Sequence, residues 1–210
     1  MSRSRRVGVS LLVAAALCVC TQHSIADTII NGSFEETNGL TGWTVGQSGS
    51  SSSVTICSYG SEGTHCAELY ATAEGGGMSS VGLSQSVAVT AGQQLKFDYS
   101  GWTQLPSEGT AWLMVDLSIG TWFQSLTLSV ESEFTAYSYT LPVTGDLSLS
   151  FVCQALSMAP SGMEEQPTSM PSVACLVIDN VRVTPEPASL GLLGTMAALV
   201  GGYVWWKRRR

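Results

Sequence analysis

Few residues of this 210-residue chain have the types and spacing that catalysis needs. A Ser-His-Asp arrangement needs a histidine base, and His65 is the only histidine after residue 26, with no G-x-S-x-G motif to present a nucleophile. Two acid pairs, Glu131 with Glu133 and Glu164 with Glu165, offer the chemistry of a glycosidase, but acids in Ser-rich polar segments usually face water. The sequence therefore predicts no enzyme, with a glycan-active hydrolase as the alternative.

Four cysteines follow residue 26, and an even number in an exported chain predicts disulfides. Three connectivities are open, and local pairing is favoured: Cys57 with Cys66, and Cys153 with Cys175 across a long polar excursion. Zinc is discounted because no C-x-x-C spacing occurs.

Three tryptophans are candidate ligand-binding residues, because a sugar ring offers an apolar C–H face to an aromatic plane. Trp112 is out of phase with the apolar alternation that follows it, and Trp102 and Trp122 flank glycines 101 and 120. The alternative is that these side chains belong to the core or its edge.

Charge is unevenly distributed along the chain. Residues 27–187 contain all 16 acidic residues and only Lys96 and Arg182 as bases, a net charge of −14. Such a field repels phosphate backbones, so we expect no nucleic-acid partner, and neutral sugars or cations fit better. An acidic surface that only keeps the domain soluble explains the same charge.

The elements that must position these residues are predicted to be strands throughout. Apolar side chains alternate with period two over 95–99, 113–119, 137–141 and 147–153, and turn residues separate these runs. The pattern predicts an all-β fold, a single antiparallel β-sandwich over residues 27–183. The Gly/Ser-rich stretches 46–53 and 75–80 are expected to be surface loops.

Both ends have the composition of targeting segments. Residues 1–26 combine arginines, an apolar run and small residues before Ala26, which predicts a signal peptide cut by signal peptidase. Residues 188–206 are uncharged and apolar and precede the basic end 207–210, which predicts a transmembrane helix with the domain outside the cytoplasm.

The tail "TPEPASLGLLGTMAALVGGYVWWKRRR", residues 184–210, resembles the tripartite sorting tail of bacterial PEP-CTERM proteins. Pro185 and Pro187 keep the segment around Glu186 extended, which is the shape that a processing protease needs. The resemblance implies processing by an exosortase, in bacteria that make extracellular polysaccharide, and then residence at the cell surface or in the matrix. A permanent anchor behind an ordinary proline-rich linker is the alternative.

The edges of the domain carry a second resemblance. "IINGSFEETNGLTGWTV" at 29–45, "SEGTHCAELY" at 61–70 and "CLVIDNVRV" at 175–183 resemble segments of galactose-binding-like jelly rolls, the fold of many carbohydrate-binding modules. This resemblance implies a jelly roll and a structural calcium held by Glu35 and Asp179, with backbone carbonyls around Glu62 and Gly63. The alternative is that both carboxylates only solvate a rim or cap turns.

Together these observations predict a non-enzymatic, exported envelope protein that binds carbohydrate or extracellular polysaccharide. A structural matrix or adhesion component without a ligand site is the rival hypothesis.

Overall fold

Ten strands form two antiparallel sheets of five in the computed structural model, which describes residues 29–49, 51–106, 109–158, 170–185 and 207. Sheet A has the order β1-β4-β9-β6-β7 and sheet B the order β2-β3-β10-β5-β8. The strands are β1 (Thr44–Ser48), β2 (Ser52–Cys57), β3 (Cys66–Ala73), β4 (Met78–Val89), β5 (Gln94–Gln104), β6 (Thr110–Ile119), β7 (Trp122–Thr127), β8 (Glu131–Thr140), β9 (Gly145–Leu156) and β10 (Ser172–Thr184).

The predicted alternation is confirmed by the burial of the side chains. One face of each sheet points into a shared interior, and successive residues along β4, β5, β6 and β9 alternate between buried and partly exposed. Each large apolar side chain buried in this way contributes about 1.5–3 kcal/mol. The all-β sandwich is therefore the observed fold.

Aromatic rings fill the centre of the interior. Phe151 of β9 meets Phe97 of β5 edge to face, with ring centroids 5.1 Å apart, and lies 6.1 Å from Trp43. Trp43 in turn stacks on Phe34 at 5.5 Å. Trp43 is thus a core residue.

The segment that precedes β1 is fixed across one end of the sandwich. The Val181 amide donates to the carbonyl oxygen of Gly32 at 2.8 Å, and a side chain at position 32 would collide with the Val181 carbonyl. Asn31 and Phe34 both take positive φ values, 51° and 58°. The buried Gln85 amide hydrogen-bonds the backbone of Ile30 on both its amide and its carbonyl, at 2.7 and 3.0 Å.

The two stretches expected to be loops, 46–53 and 75–80, are each divided between strand and turn. Residues 44–48 form β1 on the edge of sheet A, residues 52–57 form β2 on the edge of sheet B, and β4 begins at Met78. The loop prediction was wrong for residues 46–48, 52–53 and 78–80. Their pairing with neighbouring strands supplies the backbone hydrogen bonds, and that non-local contribution overrides the low strand propensity of glycine and serine.

The predicted signal peptide (1–26), the transmembrane segment (188–206) and most of the sorting tail lie outside the described residues. Within the described part, Thr184 ends β10 and Pro185 is exposed. No helix in that part is long and apolar enough to cross a membrane.

Candidate functional site

The outer face of sheet A is polar and uncovered in the described residues. Because Val81, Leu83, Phe151 and Cys153 point inward, their neighbours along β4 and β9 point outward. The outward residues of the first three strands are Thr44, Gly46, Ser48, Ser80, Gly82, Ser84, Ser86, Ser148, Ser150, Val152 and Gln154. Hydroxyl groups therefore dominate this surface.

Two glycines open a trough in this face. Gly46 of β1 pairs directly with Gly82 of β4, and Gly82 pairs with Val152 of β9. The resulting cavity measures about 250 Å³ and is lined by Gly46, Gln47, Ser48, Ser80, Gly82, Ser84, Ser150 and Val152. A Cβ at position 46 would meet no atom within 4 Å, and one at position 82 would make only ordinary contacts from 3.5 Å. Packing does not require glycine at either position, so their effect is to keep the trough open.

Trp112 lies on the outer face of sheet A, the side that its phase in the sequence predicted, and one strand away from the trough. It pairs with Gln154 of β9, which pairs with Ser80 on the trough wall, so one row across the sheet runs from an aromatic ring to an amide and a hydroxyl. Asp116, two pleats along β6, lies in the row of Ser150 and Ser84. This face therefore combines the ring of Trp112, and that of exposed Phe123 on the edge strand β7, with many neutral hydrogen-bonding groups.

The carboxylates on this face are poorly placed for glycoside hydrolysis. Asp116 lies opposite Ser150, and Asp146 is four residues from Ser150 along β9, which is about 13 Å at the rise of a strand. Glycosidase pairs are separated by roughly 5–9.5 Å. The face offers recognition chemistry more readily than acid–base chemistry.

The other two candidate tryptophans occupy different surroundings. Trp122 pairs with Ile119, so its side chain lies on the inner side of β7, where it packs against the core and stacks with Tyr139 at 6.4 Å. Trp102 lies on the outer face of sheet B, 44% exposed, and pairs with Cys175. The three tryptophans thus occupy three separate places.

Glu35 fixes the connection between β2 and β3. Its Oε1 accepts the amides of Thr64 and His65, both at 2.7 Å, and its Oε2 accepts the Thr64 hydroxyl at 3.0 Å and lies 2.9 Å from His65 Nδ1. The His65 side chain, followed by these backbone amides, lowers the pKa of Glu35 from 4.5 to about 2. Glu35 therefore stays ionised and holds the loop.

Asp179 holds the same loop through a second set of hydrogen bonds. It is fully buried, and its Oδ2 accepts the Ser61 amide at 2.7 Å, the Ser61 hydroxyl at 3.0 Å and the Glu62 amide at 3.1 Å. Its Oδ1 accepts the Asn180 amide at 2.7 Å. We call Glu35, Asp179 and the segment 61–65 the carboxylate clamp.

This arrangement does not fit the predicted calcium site. Calcium needs six to eight oxygen ligands whose lone pairs face the ion, whereas N–H and O–H donors already occupy every carboxylate oxygen of Glu35 and Asp179. Among the described residues, no group of three or more His, Cys, Asp or Glu side chains is placed to hold a metal. Calcium binding stays a prediction, for which a test is given below.

Of the two predicted disulfides, one is present. Cys57 is bonded to Cys66 across neighbouring strands, with Cα atoms 5.3 Å apart. The predicted Cys153–Cys175 bond is wrong: both cysteines are free, because Cys153 lies in the core between the sheets and Cys175 lies on the outer side of sheet B. Burial raises the pKa of both thiols to about 12.

The trough was not predicted, although the sequence contains a signal for it. In "MSSVGLSQSVAV" the residues at 80, 82, 84 and 86 are all serine or glycine and alternate with inward-facing Val81, Leu83, Gln85 and Val87. That alternation indicates a strand with a small, polar outer face. The strand is hard to recognise in the sequence because glycines 75–77 come directly before it and favour a loop.

The fold is similar to that of known carbohydrate-binding modules. The structure of TmCBM61 in complex with β-1,4-galactotriose is 16% identical, with a TM-score of 0.51, and the match covers 76% of this chain and 99% of that chain. No protein-family model and no curated protein sequence matches the chain. At this identity the likeness establishes a jelly-roll β-sandwich and nothing further.

Two other structures match less well. The CBM22-1 xylan-binding domain from Paenibacillus barcinonensis Xyn10C is 16% identical with a TM-score of 0.43, covering 77% of this chain and 96% of that chain. The enzymatically active domain of bacteriophage CBA120 tailspike protein 4 is 16% identical with a TM-score of 0.47, covering 75% of this chain but 21% of that chain. Both scores are below 0.5, so the fold comparison rests on the first structure.

Proposed function

We propose that this protein binds a neutral polysaccharide along the outer face of sheet A and performs no catalysis there. The observation that carries the proposal is the trough over the Gly46–Gly82 pair, which is lined by hydroxyl groups and flanked by Trp112. A sugar chain needs an open groove, hydrogen-bonding partners for its hydroxyls and an aromatic plane for its C–H face. All three occur on this face.

The charge of the face selects the ligand class. Asp116 and Asp146 are its carboxylates, and neither Lys96 nor Arg182 belongs to sheet A. With a net charge of −14 over residues 27–187, the domain repels uronate-rich or sulfated chains. Neutral glycans meet no such penalty.

The proposal includes the route by which the domain reaches its ligand. Signal peptidase removes 1–26, the segment 188–206 anchors the chain with its domain outside the cytoplasm, and an exosortase acts near Pro185-Glu186-Pro187. A jelly roll that binds polysaccharide then resides at the cell surface or in the extracellular matrix. The motifs of the sequence support this route.

The direct test is binding of the purified full chain to immobilised neutral glycans, such as β-1,4-galactan, xylan and dextran, with alginate as the anionic comparison. We expect retention on at least one neutral polymer and none on alginate. Trp112→Ala should weaken retention roughly tenfold or more, the loss typical of a binding residue that dominates its interface. Val130→Ala, which removes another exposed apolar side chain, should change nothing.

Binding to no neutral glycan would contradict the proposal and favour a structural matrix component. Turnover of any of these polymers that Asp116→Asn abolishes would instead support a hydrolase.

A further inference from the structure

The outer face of sheet B carries its own apolar cluster, separate from the core. Cys66, Cys175 and Val177 are buried there, although they point away from the interior of the sandwich. The Cys57–Cys66 disulfide and the partly buried rings of Tyr70 and Phe134 cover them. Sheet B is therefore lined with apolar side chains on both sides.

An aromatic platform stands on this cluster. Tyr70, Cys175 and Trp102 form one row across β3, β10 and β5, and the rings of Tyr70 and Trp102 lie 6.3 Å apart at 60°. Trp102 is 44% exposed, so part of its ring remains open to a ligand. Within the row, the buried Cys175 lies between the strands that carry the two rings, and the Tyr70 ring lies beside the indole.

Hydrogen-bonding groups lie next to this platform. Glu68 lies two residues before Tyr70 on the same face of β3, and its Oε2 accepts the Tyr59 hydroxyl at 2.7 Å. Burial and the Glu68 carboxylate raise the pKa of Tyr59 to about 12, so its hydroxyl keeps its proton. The platform thus offers aromatic surface for the C–H face of a pyranose, with a carboxyl group and a phenol nearby for its hydroxyls.

The nature of the occupant follows from charge. Glu68 places a carboxyl group beside the platform, and residues 27–187 carry a net charge of −14, which disfavours nucleic acids, anionic lipids and acidic glycans. A neutral sugar places its C–H face on Trp102 and donates hydroxyl hydrogens to Glu68. Sheet A offers the same pairing of Trp112 with polar neighbours on the opposite side of the molecule.

We propose that Trp102, Tyr70 and Glu68 form a second saccharide-binding face, so that one domain holds two neutral polysaccharide chains on opposite sides of its sandwich and cross-links them. This inference rests on the proposed function. The two faces are separated by the thickness of both sheets, whose backbones alone lie about 10 Å apart, so a single short oligosaccharide cannot occupy both. Binding at two faces makes the protein a connector within a polymer network.

The test is calorimetric titration of the full chain with a neutral hexasaccharide of the polymer that is retained best, for example β-1,4-galactohexaose or xylohexaose. We expect two binding sites in the wild type, one in Trp102→Ala, one in Trp112→Ala and none in the double variant. Trp102→Phe keeps an aromatic plane and should keep two sites. Melting temperatures of all variants show which of them are folded.

Cross-linking gives a second readout. The wild type should make a solution of the polymer turbid, and either single alanine variant should abolish the turbidity while still binding polymer. If the wild type shows a single site, and that site is lost in Trp112→Ala and unchanged in Trp102→Ala, the second saccharide-binding face is overturned and the proposed function is left intact. Loss in Trp102→Ala alone would overturn the sheet A site, and no binding by any variant or by the wild type would overturn both.

Discussion

The two outer faces of the sandwich differ in how they are supported. Sheet B is braced by a disulfide, by the carboxylate clamp and by an apolar cluster outside the main core. Sheet A has none of these among its described residues, and its outer surface is a row of serines and glycines around a trough. The difference suggests that sheet B fixes the shape of the domain, whereas sheet A leaves its backbone accessible to a ligand.

Removing the disulfide bond that braces sheet B should have the largest effect on stability. The Cys57–Cys66 bond closes a loop with a sequence separation of 9, which in the chain-entropy model stabilises by about 2.5 kcal/mol. We expect the Cys57→Ala/Cys66→Ala double variant to lose about that much free energy of unfolding in urea titrations. Glycan retention by sheet A should persist where the variant is folded.

The control for this variant is Cys153→Ala, which removes a buried thiol from the core instead of a covalent bond. If wild type and double variant unfold at the same urea concentration, sheet B is not braced by the disulfide and the comparison fails.

Glycine substitutions should distinguish the two sheets with a smaller effect. A Cβ at Gly101 would meet the Leu113 Cδ1 at 2.7 Å and the Cys175 carbonyl oxygen at 2.8 Å, so Gly101→Ala should destabilise the fold by roughly 1–3 kcal/mol. A Cβ at Gly82 meets only ordinary contacts, so Gly82→Ala should leave the melting temperature unchanged or slightly raised.

The larger Gly82→Leu variant should fold and yet lose glycan retention, because its side chain fills the trough. Retention that is unchanged in a folded Gly82→Leu protein would show that the trough is not the binding site.

The Glu35 side of the carboxylate clamp should give the smallest effect, which shows as a dependence of stability on pH in acid. The folded-state pKa of Glu35 is lowered to about 2, so its contribution is complete above about pH 4.5 and is lost as the pH falls toward 2. Melting temperatures should therefore fall between pH 4.5 and 2 more steeply in the wild type than in Glu35→Gln. Equal slopes in the two proteins would show that Glu35 does not hold the loop.

The same measurement tests the predicted calcium at neutral pH. A clamp made by N–H donors predicts that neither calcium chloride nor EDTA shifts the melting temperature. A rise on adding calcium, as expected for a ligand that binds only the folded state, would show that Glu35 and Asp179 exchange their donors for the ion.

Much of the fold follows from local alternation. The inward sets along β5, β6 and β9 are visible because each of these strands has one apolar and one polar side. β10 gives no such signal: it is the central strand of sheet B, buried on both sides from Ser172 to Asp179. The sequence therefore could not show that Cys175 points outward, which is why its predicted bond to Cys153 failed.

The candidate site was predictable only in part. Trp112 was assigned to the outer side of its strand from its phase, and the structure agrees. Trp122 follows a turn at Gly120 that resets the phase, so its inward direction depends on the pairing with Ile119, which is a tertiary property. The trough depends on Gly46 meeting Gly82 across two strands that are distant in sequence, and no local pattern contains that pairing.

A crystal structure of the chain with a bound neutral oligosaccharide tests the central claim most directly. We expect a sugar chain lying over Gly46 and Gly82 on the outer face of sheet A, with one ring against Trp112 and hydroxyls bonded to serines of β4 and β9. A sugar bound only at the ends of the sandwich, with the outer face of sheet A empty, would contradict it.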